Sequence, residues 1–318
     1  MTEQTADLAR QLIDGPQPTD TLPADAGPPW LTVAEVGRLP AYRKGLTPVT
    51  TGFSTLDRAL RGGFRPESMY ILAGRTGSAK TTLALNVTRR AALAGHSVLL
   101  FKLEESSIEA VWRLHAAASQ VELVKLLDGL DGVKPATDDR QRLVDGWTLI
   151  RTLPIRLSEQ RGIDAIERVA KLHVDDGGEL VVVDQVSMVD CPGVVGPYER
   201  TTAVSNALRL LARKLHVPIL LVAQINRPAS KKEGRLTCND LRDSGALEND
   251  AAAVLLIDRI RRPDVPRWNT DPCALEIVIG KNRYGRSTRE NDAPLELLWW
   301  PWCARIEDAA KLSEGGTE

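Results

Sequence analysis

The sequence predicts an α/β domain built on a mostly parallel central β-sheet flanked by helices. Three observations lead there. Short apolar runs recur at residues 69–73, 98–103, 180–183, 217–223, 252–257 and 275–279. Several are apolar without interruption, the pattern of strands covered on both faces. Between them lie helical stretches at 81–94, 163–173 and 201–215; in the last, Val204, Leu208, Leu211 and Leu215 recur at helical spacing. Strands alternating with helices are the signature of a parallel sheet.

Taken in chain order, residues 1–48 read as a proline-rich segment or linker, broken by Pro16, Pro18, Pro23, Pro28 and Pro29. A short helix is expected at 32–38, with Trp30 and Leu31 as apolar anchors. Residues 49–308 carry the regular pattern, and 309–318 are expected to be a disordered tail. A composition of 43% hydrophobic and 26% charged residues with a net charge of −1 excludes a disordered chain. With no run of eighteen apolar residues, no membrane span is expected, and the acidic, proline-bearing start does not resemble a secretory signal. The four cysteines (Cys191, Cys238, Cys273, Cys303) form no CxxC pair and read as reduced thiols of a cytoplasmic protein. His96, His115, His173 and His216 lie apart, without metal-ligand spacing.

The strongest motif is Gly74-Arg75-Thr76-Gly77-Ser78-Ala79-Lys80-Thr81-Thr82, which follows a predicted strand and opens a predicted helix. That context suits a loop whose backbone N–H groups wrap a phosphate, assisted by the helix N-terminus. Lys80 would reach the β and γ oxygens of ATP, and the Thr81 hydroxyl would hold Mg²⁺. Ala79 stands where the pattern GxxxxGK has glycine. In a right-handed conformation its methyl costs little; with positive φ it costs about 1–2 kcal/mol.

Three further strand ends carry polar groups. Asp184 closes the run Leu180-Val181-Val182-Val183 and is a candidate metal-proximal carboxylate, although an aspartate also simply ends a strand. Glu104 and Glu105 follow 98–103, where catalytic groups of open α/β sheets gather. Glu104 is the candidate for polarising an attacking water, while Glu105 reads as the start of the next helix. Gln224 ends 219–223 as a candidate γ-phosphate sensor. The loop beyond it carries Arg227, Lys231, Lys232 and Arg235. Such a run is either a solvated loop or a grip on DNA phosphates, and composition leaves both open. Trp299, Trp300 and Trp302 read as packing rather than a base-stacking platform.

Together these motifs resemble the RecA-like motor domain of DnaB-type replicative helicases over about residues 50–306. The opening TGFSTLDRALRGGFRPESMYILAGRTGSAKTTLALN is similar to the family's phosphate-loop region, KLEES to its catalytic-glutamate strand end, VVVDQ to its metal-proximal aspartate, and LVAQINR to its sensor strand. NDLRDSGALENDAAAVLLI is the most diagnostic segment, and GKNRYGRS resembles the hairpin that offers a lysine and an arginine to a neighbour's nucleotide. The resemblance implies a RecA-like P-loop core with a C-terminal β-hairpin extension and ATP with Mg²⁺ as cofactors. It implies a homo-oligomer, a hexameric ring, moving on single-stranded DNA alongside other replication proteins. It assigns Glu104, Lys80, Gln224, Lys281 and Arg283 to catalysis, the last two in trans, and Arg242 to DNA. Residues 1–48 leave no room for the family's helical N-terminal domain, so a motor without that collar is expected. Two alternatives stay open: a RecA/RadA-like recombination ATPase, and a nucleotide-binding regulatory or loading subunit with little turnover.

Overall fold

The computed structural model describes residues 32–38, 46–127, 137–226, 234–241, 244–259, 272–289 and 291–309. The chain divides into two compact units, Met1–Thr47 and Pro48–Glu318. In the first, α1 (Val33–Arg38) forms where a helix was expected. A reciprocal pair starts it: Glu35 N–H donates to Thr32 Oγ1 and Thr32 N–H to the Glu35 carboxylate. Trp30 and Leu31 lie outside the described residues.

The second unit is built on one sheet. In chain order its strands are β1 (Met69–Gly74), β2 (Val98–Lys102), β3 (Ile155–Ser158), β4 (Leu180–Asp184), β5 (Ile219–Gln224), β6 (Ala253–Arg259), β7 (Cys273–Asn282), β8 (Leu295–Trp300) and β9 (Arg305–Asp308). The spatial order is β3-β2-β4-β5-β1-β6-β7-β8-β9. The first six in that order pair in parallel, and β6 to β9 form an antiparallel extension. The fold is thus α/β with a mostly parallel sheet, and residues 275–279 belong to its antiparallel part.

The helices are α2 (Ser54–Ala59), α3 (Lys80–Leu93), α4 (Ser107–Ser119), α5 (Leu123–Leu127), α6 (Thr137–Ile150), α7 (Ile163–Asp175), α8 (Pro197–Leu215) and α9 (Ser244–Asp250). Strand residues alternate between two cores. Tyr70 and Leu72 of β1 join Leu83, Ala84 and Val87 of α3 on one face. Met69, Ile71 and Ala73 join Ile166 of α7 and Val204, Leu208 and Leu211 of α8 on the other. Burial on both faces is why these strands read as continuous apolar runs. Each such leucine contributes roughly 1.5–3 kcal/mol.

Several elements have weak sequence signals. β3 is four residues long with partly exposed faces. The start of α4 does carry a local signal: Ser106 and Glu109 form a capping box, each side chain accepting the other's backbone N–H. The C-terminal strand is tied to the beginning of the unit by Asp308, whose carboxylate accepts from Ser54 N–H at 2.9 Å and Thr55 N–H at 3.1 Å. Asp308 therefore caps α2, which Phe53, its own preceding residue, leaves without a side-chain cap.

Candidate functional site: a phosphate loop at the carboxyl ends of the parallel strands

β1 runs into the loop 75–79 and then into α3, at the centre of the parallel strands. Gly74 is obligatory here, because a Cβ would lie 2.2 Å from the Ile257 carbonyl oxygen on β6. Thr76 and Gly77 are exposed at the crest, and Gly77 takes φ +76°. Ala79 has φ 68° and ψ 23°, so the left-handed alternative is the one the chain adopts. Arg75 forms an ion pair with Asp258 of β6, and its guanidinium also donates to the Gly234 carbonyl at 3.4 Å. Ser78 is buried, and its hydroxyl has no hydrogen-bond partner.

Lys80 folds back across the loop, its Nζ 2.8 Å from the Arg75 carbonyl oxygen. Burial pushes this ammonium below its ordinary value, and the carboxylates of Asp184 and Glu104 partly offset the shift. Asp184 ends β4 and Glu104 follows β2, so both carboxylates lie at the same carboxyl edge of the sheet as Lys80. Thr81, at the start of α3, donates from its hydroxyl to Asp184 Oδ1 at 3.3 Å, while Thr82 is buried in α3. Gln224 lies directly beside Gly74 in the β1–β5 register. It also lines a cavity of ≈ 330 Å³ with Val186, Ser187, Met188, Arg200 and Thr201.

Glu104 is exposed, two residues past the end of β2. Glu105 turns away to Arg113 of α4, 2.8 Å from its guanidinium. Lys102 did not stand out in the sequence as a site residue. It is 1% exposed, and its Nζ sits 2.6 Å from Asp184 Oδ2. Its signal was a lysine inside an apolar strand, which only the pairing of β2 with β4 makes intelligible.

Lys281 and Arg283 lie elsewhere. The Lys281 ammonium donates to the carbonyls of Glu248 and Asn249, at the C-terminal end of α9, and Arg283 donates to Asn249 at 3.3 Å. Burial and the neighbouring Arg283 charge lower the Lys281 ammonium. Ala253 pairs with both Asn282 and Tyr70, whereas Gly74 pairs with Ile257. The basic pair is therefore level with the amino ends of the parallel strands, four residues, or about 13 Å, along the strand from the phosphate loop. One chain does not bring them to its own loop.

Arg235 is partly exposed in the segment 234–241, which returns beside the end of β5 through an Ile225–Leu241 bridge. Arg227, Lys231, Lys232 and Arg242 lie outside the described residues. Among the described residues no group of three His, Cys, Asp or Glu side chains is placed to hold a metal. No described helix is long and apolar enough to cross a membrane.

A central strand, a glycine-bearing loop and a buried lysine opening the next helix define a phosphate-loop α/β protein. Residues 48–292 match the model of the DnaB-like helicase C-terminal domain, and the chain belongs to that family. It is 31% identical over 250 residues to the replicative DNA helicase DnaB of Pasteurella multocida (strain Pm70), covering 76% of this chain and 52% of the relative. Identity to the DnaB of Leifsonia xyli subsp. xyli is 30% over 256 residues, with the same coverage. The chain thus spans about half the length of the curated relatives it matches. The ATPase domain of G40P superposes with a TM-score of 0.72 at 21% identity, covering 83% of this chain and 92% of that one. A DnaB-like replicative helicase, solved to describe its interactions with primase, gives 0.73 at 22% identity, covering 83% and 64%. A KaiC-like protein of Pyrococcus horikoshii gives 0.54, marking the fold as the RecA-like one shared more widely.

Proposed function

We propose that this chain is an ATP-hydrolysing DNA helicase or translocase motor that acts as a ring on single-stranded DNA in replication, alongside other replication proteins. The observation that carries the reading is the division of the site. Lys80, Thr81, Asp184, Glu104 and Gln224 gather at the carboxyl ends of the parallel strands. Lys281 and Arg283 stand at the other end. A complete site then needs a second subunit, and repeated head-to-tail contacts close into a ring such as a hexamer.

ATP is the nucleotide this loop suits. The buried ammonium of Lys80, held at the Arg75 carbonyl, and the unpartnered Ser78 hydroxyl are donors this loop can offer to phosphate oxygens. The hard oxygen donors of Thr81 and Asp184 fit Mg²⁺, which such sites hold by one or two protein oxygens together with phosphates. Held by Thr81 and Asp184, the ion would supply charge neutralisation to the bound ATP phosphates. Lys80 holds those phosphates, Glu104 accepts the proton of the attacking water, and Gln224 senses the γ-phosphate. Arg283 of an adjacent subunit stabilises the charge of the transferring phosphoryl group, a contribution of about 10³–10⁵ in rate. Arg227, Lys231, Lys232, Arg235 and Arg242 hold DNA phosphates.

One observation favours a second reading, the low-turnover regulatory subunit: the left-handed Ala79 strains the loop that must close on nucleotide. ATP hydrolysis with and without single-stranded DNA separates the two, with Lys80→Ala as control. The motor reading expects DNA-stimulated turnover lost in Lys80→Ala. It also expects Glu104→Gln to bind ATP normally while turnover falls about 10²–10⁴-fold. Nucleotide binding without turnover at any DNA concentration would establish the regulatory reading. Electron microscopy with ATP and DNA distinguishes closed rings from the filaments of a recombinase.

A further inference from the structure

Lys102 and Asp184 are directly opposite one another in the parallel register of β2 and β4. Both are 1% exposed, and the Lys102 Nζ is 2.6 Å from Asp184 Oδ2. The nearest other carboxylate to Lys102 is that of Glu105, at 3.6 Å, which is itself engaged by Arg113. A buried ion pair is a poor device for stability, since desolvating two charges offsets their attraction and apolar replacements are often neutral. This pair sits beside the start of α3, and it uses the carboxylate that also accepts from the Thr81 hydroxyl. Asp184 has its Oδ2 on an ammonium and its Oδ1 on the Thr81 hydroxyl.

We propose that Lys102 is an internal cation that neutralises Asp184, so that magnesium enters this site only together with nucleotide. The inference rests on the nucleotide-binding reading above and deepens it. With Asp184 already compensated, free Mg²⁺ meets no uncompensated aspartate at the loop, whereas ATP meets Lys80 without the repulsion of a bare Asp184 carboxylate. The phosphates then bring the charge that draws the metal in. Lys102 is thus a positioning residue, acting through Asp184 rather than touching the reacting atoms.

The test is calorimetric titration of the full chain with MgCl₂ alone, with ATP in EDTA, and with ATP at graded Mg²⁺. The wild type is expected to bind ATP in EDTA and to bind no Mg²⁺ alone at millimolar concentration. In Lys102→Met, ATP binding in EDTA is expected to weaken by about tenfold or more, the scale of one unit charge a few ångströms away. The Mg²⁺ needed for half-saturation is expected to fall by a similar factor. Adding Asp184→Asn to Lys102→Met restores charge balance and should return metal-free ATP binding to near the wild-type level. A packing defect would instead weaken both kinds of binding together and would not be rescued. Either that outcome or no change overturns the proposal. If Lys102→Met fails to fold, tight binding of Mg²⁺ alone by the wild type overturns it equally. Absence of ATP binding by the wild type, matching Lys80→Ala, would sink the nucleotide reading itself and the proposal with it. ATP binding with an inert Lys102 would sink only the proposal.

Discussion

Ala79 offers a sharp quantitative test of the loop. At φ 68° and ψ 23° it occupies the left-handed region, where an L side chain crowds the following carbonyl. Replacing it by glycine removes about 1–2 kcal/mol of strain. The glycine loosens the unfolded chain, which returns about 0.4–1 kcal/mol. The net expectation for Ala79→Gly is a gain of roughly 0.5–1 kcal/mol, or about 1–4 °C in Tm for a unit of this size. Gly77→Ala is the mirror experiment. Gly77 has φ +76° and no heavy atom within 4 Å of a built Cβ, so the substitution tests conformation without a clash. It should lower stability by about 1 kcal/mol. Differential scanning calorimetry of both variants, followed by ATP titration, reads the result. If the left-handed loop is also the nucleotide-bound form, Ala79→Gly tightens ATP no more than it stabilises the fold. A destabilised Ala79→Gly beside a destabilised Gly77→Ala would refute the reasoning, because the two then could not share one conformational cause.

Asp308 is fully buried, and its carboxylate accepts from both Ser54 and Thr55. Burial alone would raise its pKa, but these hydrogen bonds outweigh that and hold it below the ordinary 3.8. Its contribution is therefore complete above the unfolded value and is lost as pH falls through the depressed folded value. Asp308→Ala should cost about 2–4 kcal/mol at neutral pH, with Asp308→Asn intermediate, and the gap to wild type should close below pH 3.8 in urea melts. At the other end of the sheet, Arg283→Ala should spare ATP binding and reduce turnover about 10³-fold or more if it acts on a neighbour's nucleotide. Mixing Arg283→Ala with Lys80→Ala subunits should then restore part of the activity, since some interfaces pair an intact loop with an intact arginine. Retained turnover in Arg283→Ala alone would end that assignment.

Much of the fold was legible in the sequence, because strands such as β1 and β4 are buried on both faces and leave uninterrupted apolar runs. The amphipathic periodicity of α8 marked its buried face as Val204, Leu208 and Leu211. The phosphate loop was legible too, since its glycines and lysine are local requirements of one turn. β3 was not, because its four residues are only partly buried and its place depends on pairing with β2. The antiparallel direction of β7 was equally hidden, since an apolar run carries no sign of its partner's orientation.

The sequence by itself determined the α/β class, the phosphate-loop turn and the identity of the groups at three strand ends, because period, turn chemistry and residue type act within a few residues. Only the tertiary structure decided that Ala79 is left-handed, that Lys102 pairs with Asp184, and that Lys281 and Arg283 stand away from their own chain's loop. Each depends on strand register and on the packing of residues far apart in the chain, and such through-space charge and contact leave no trace in local pattern.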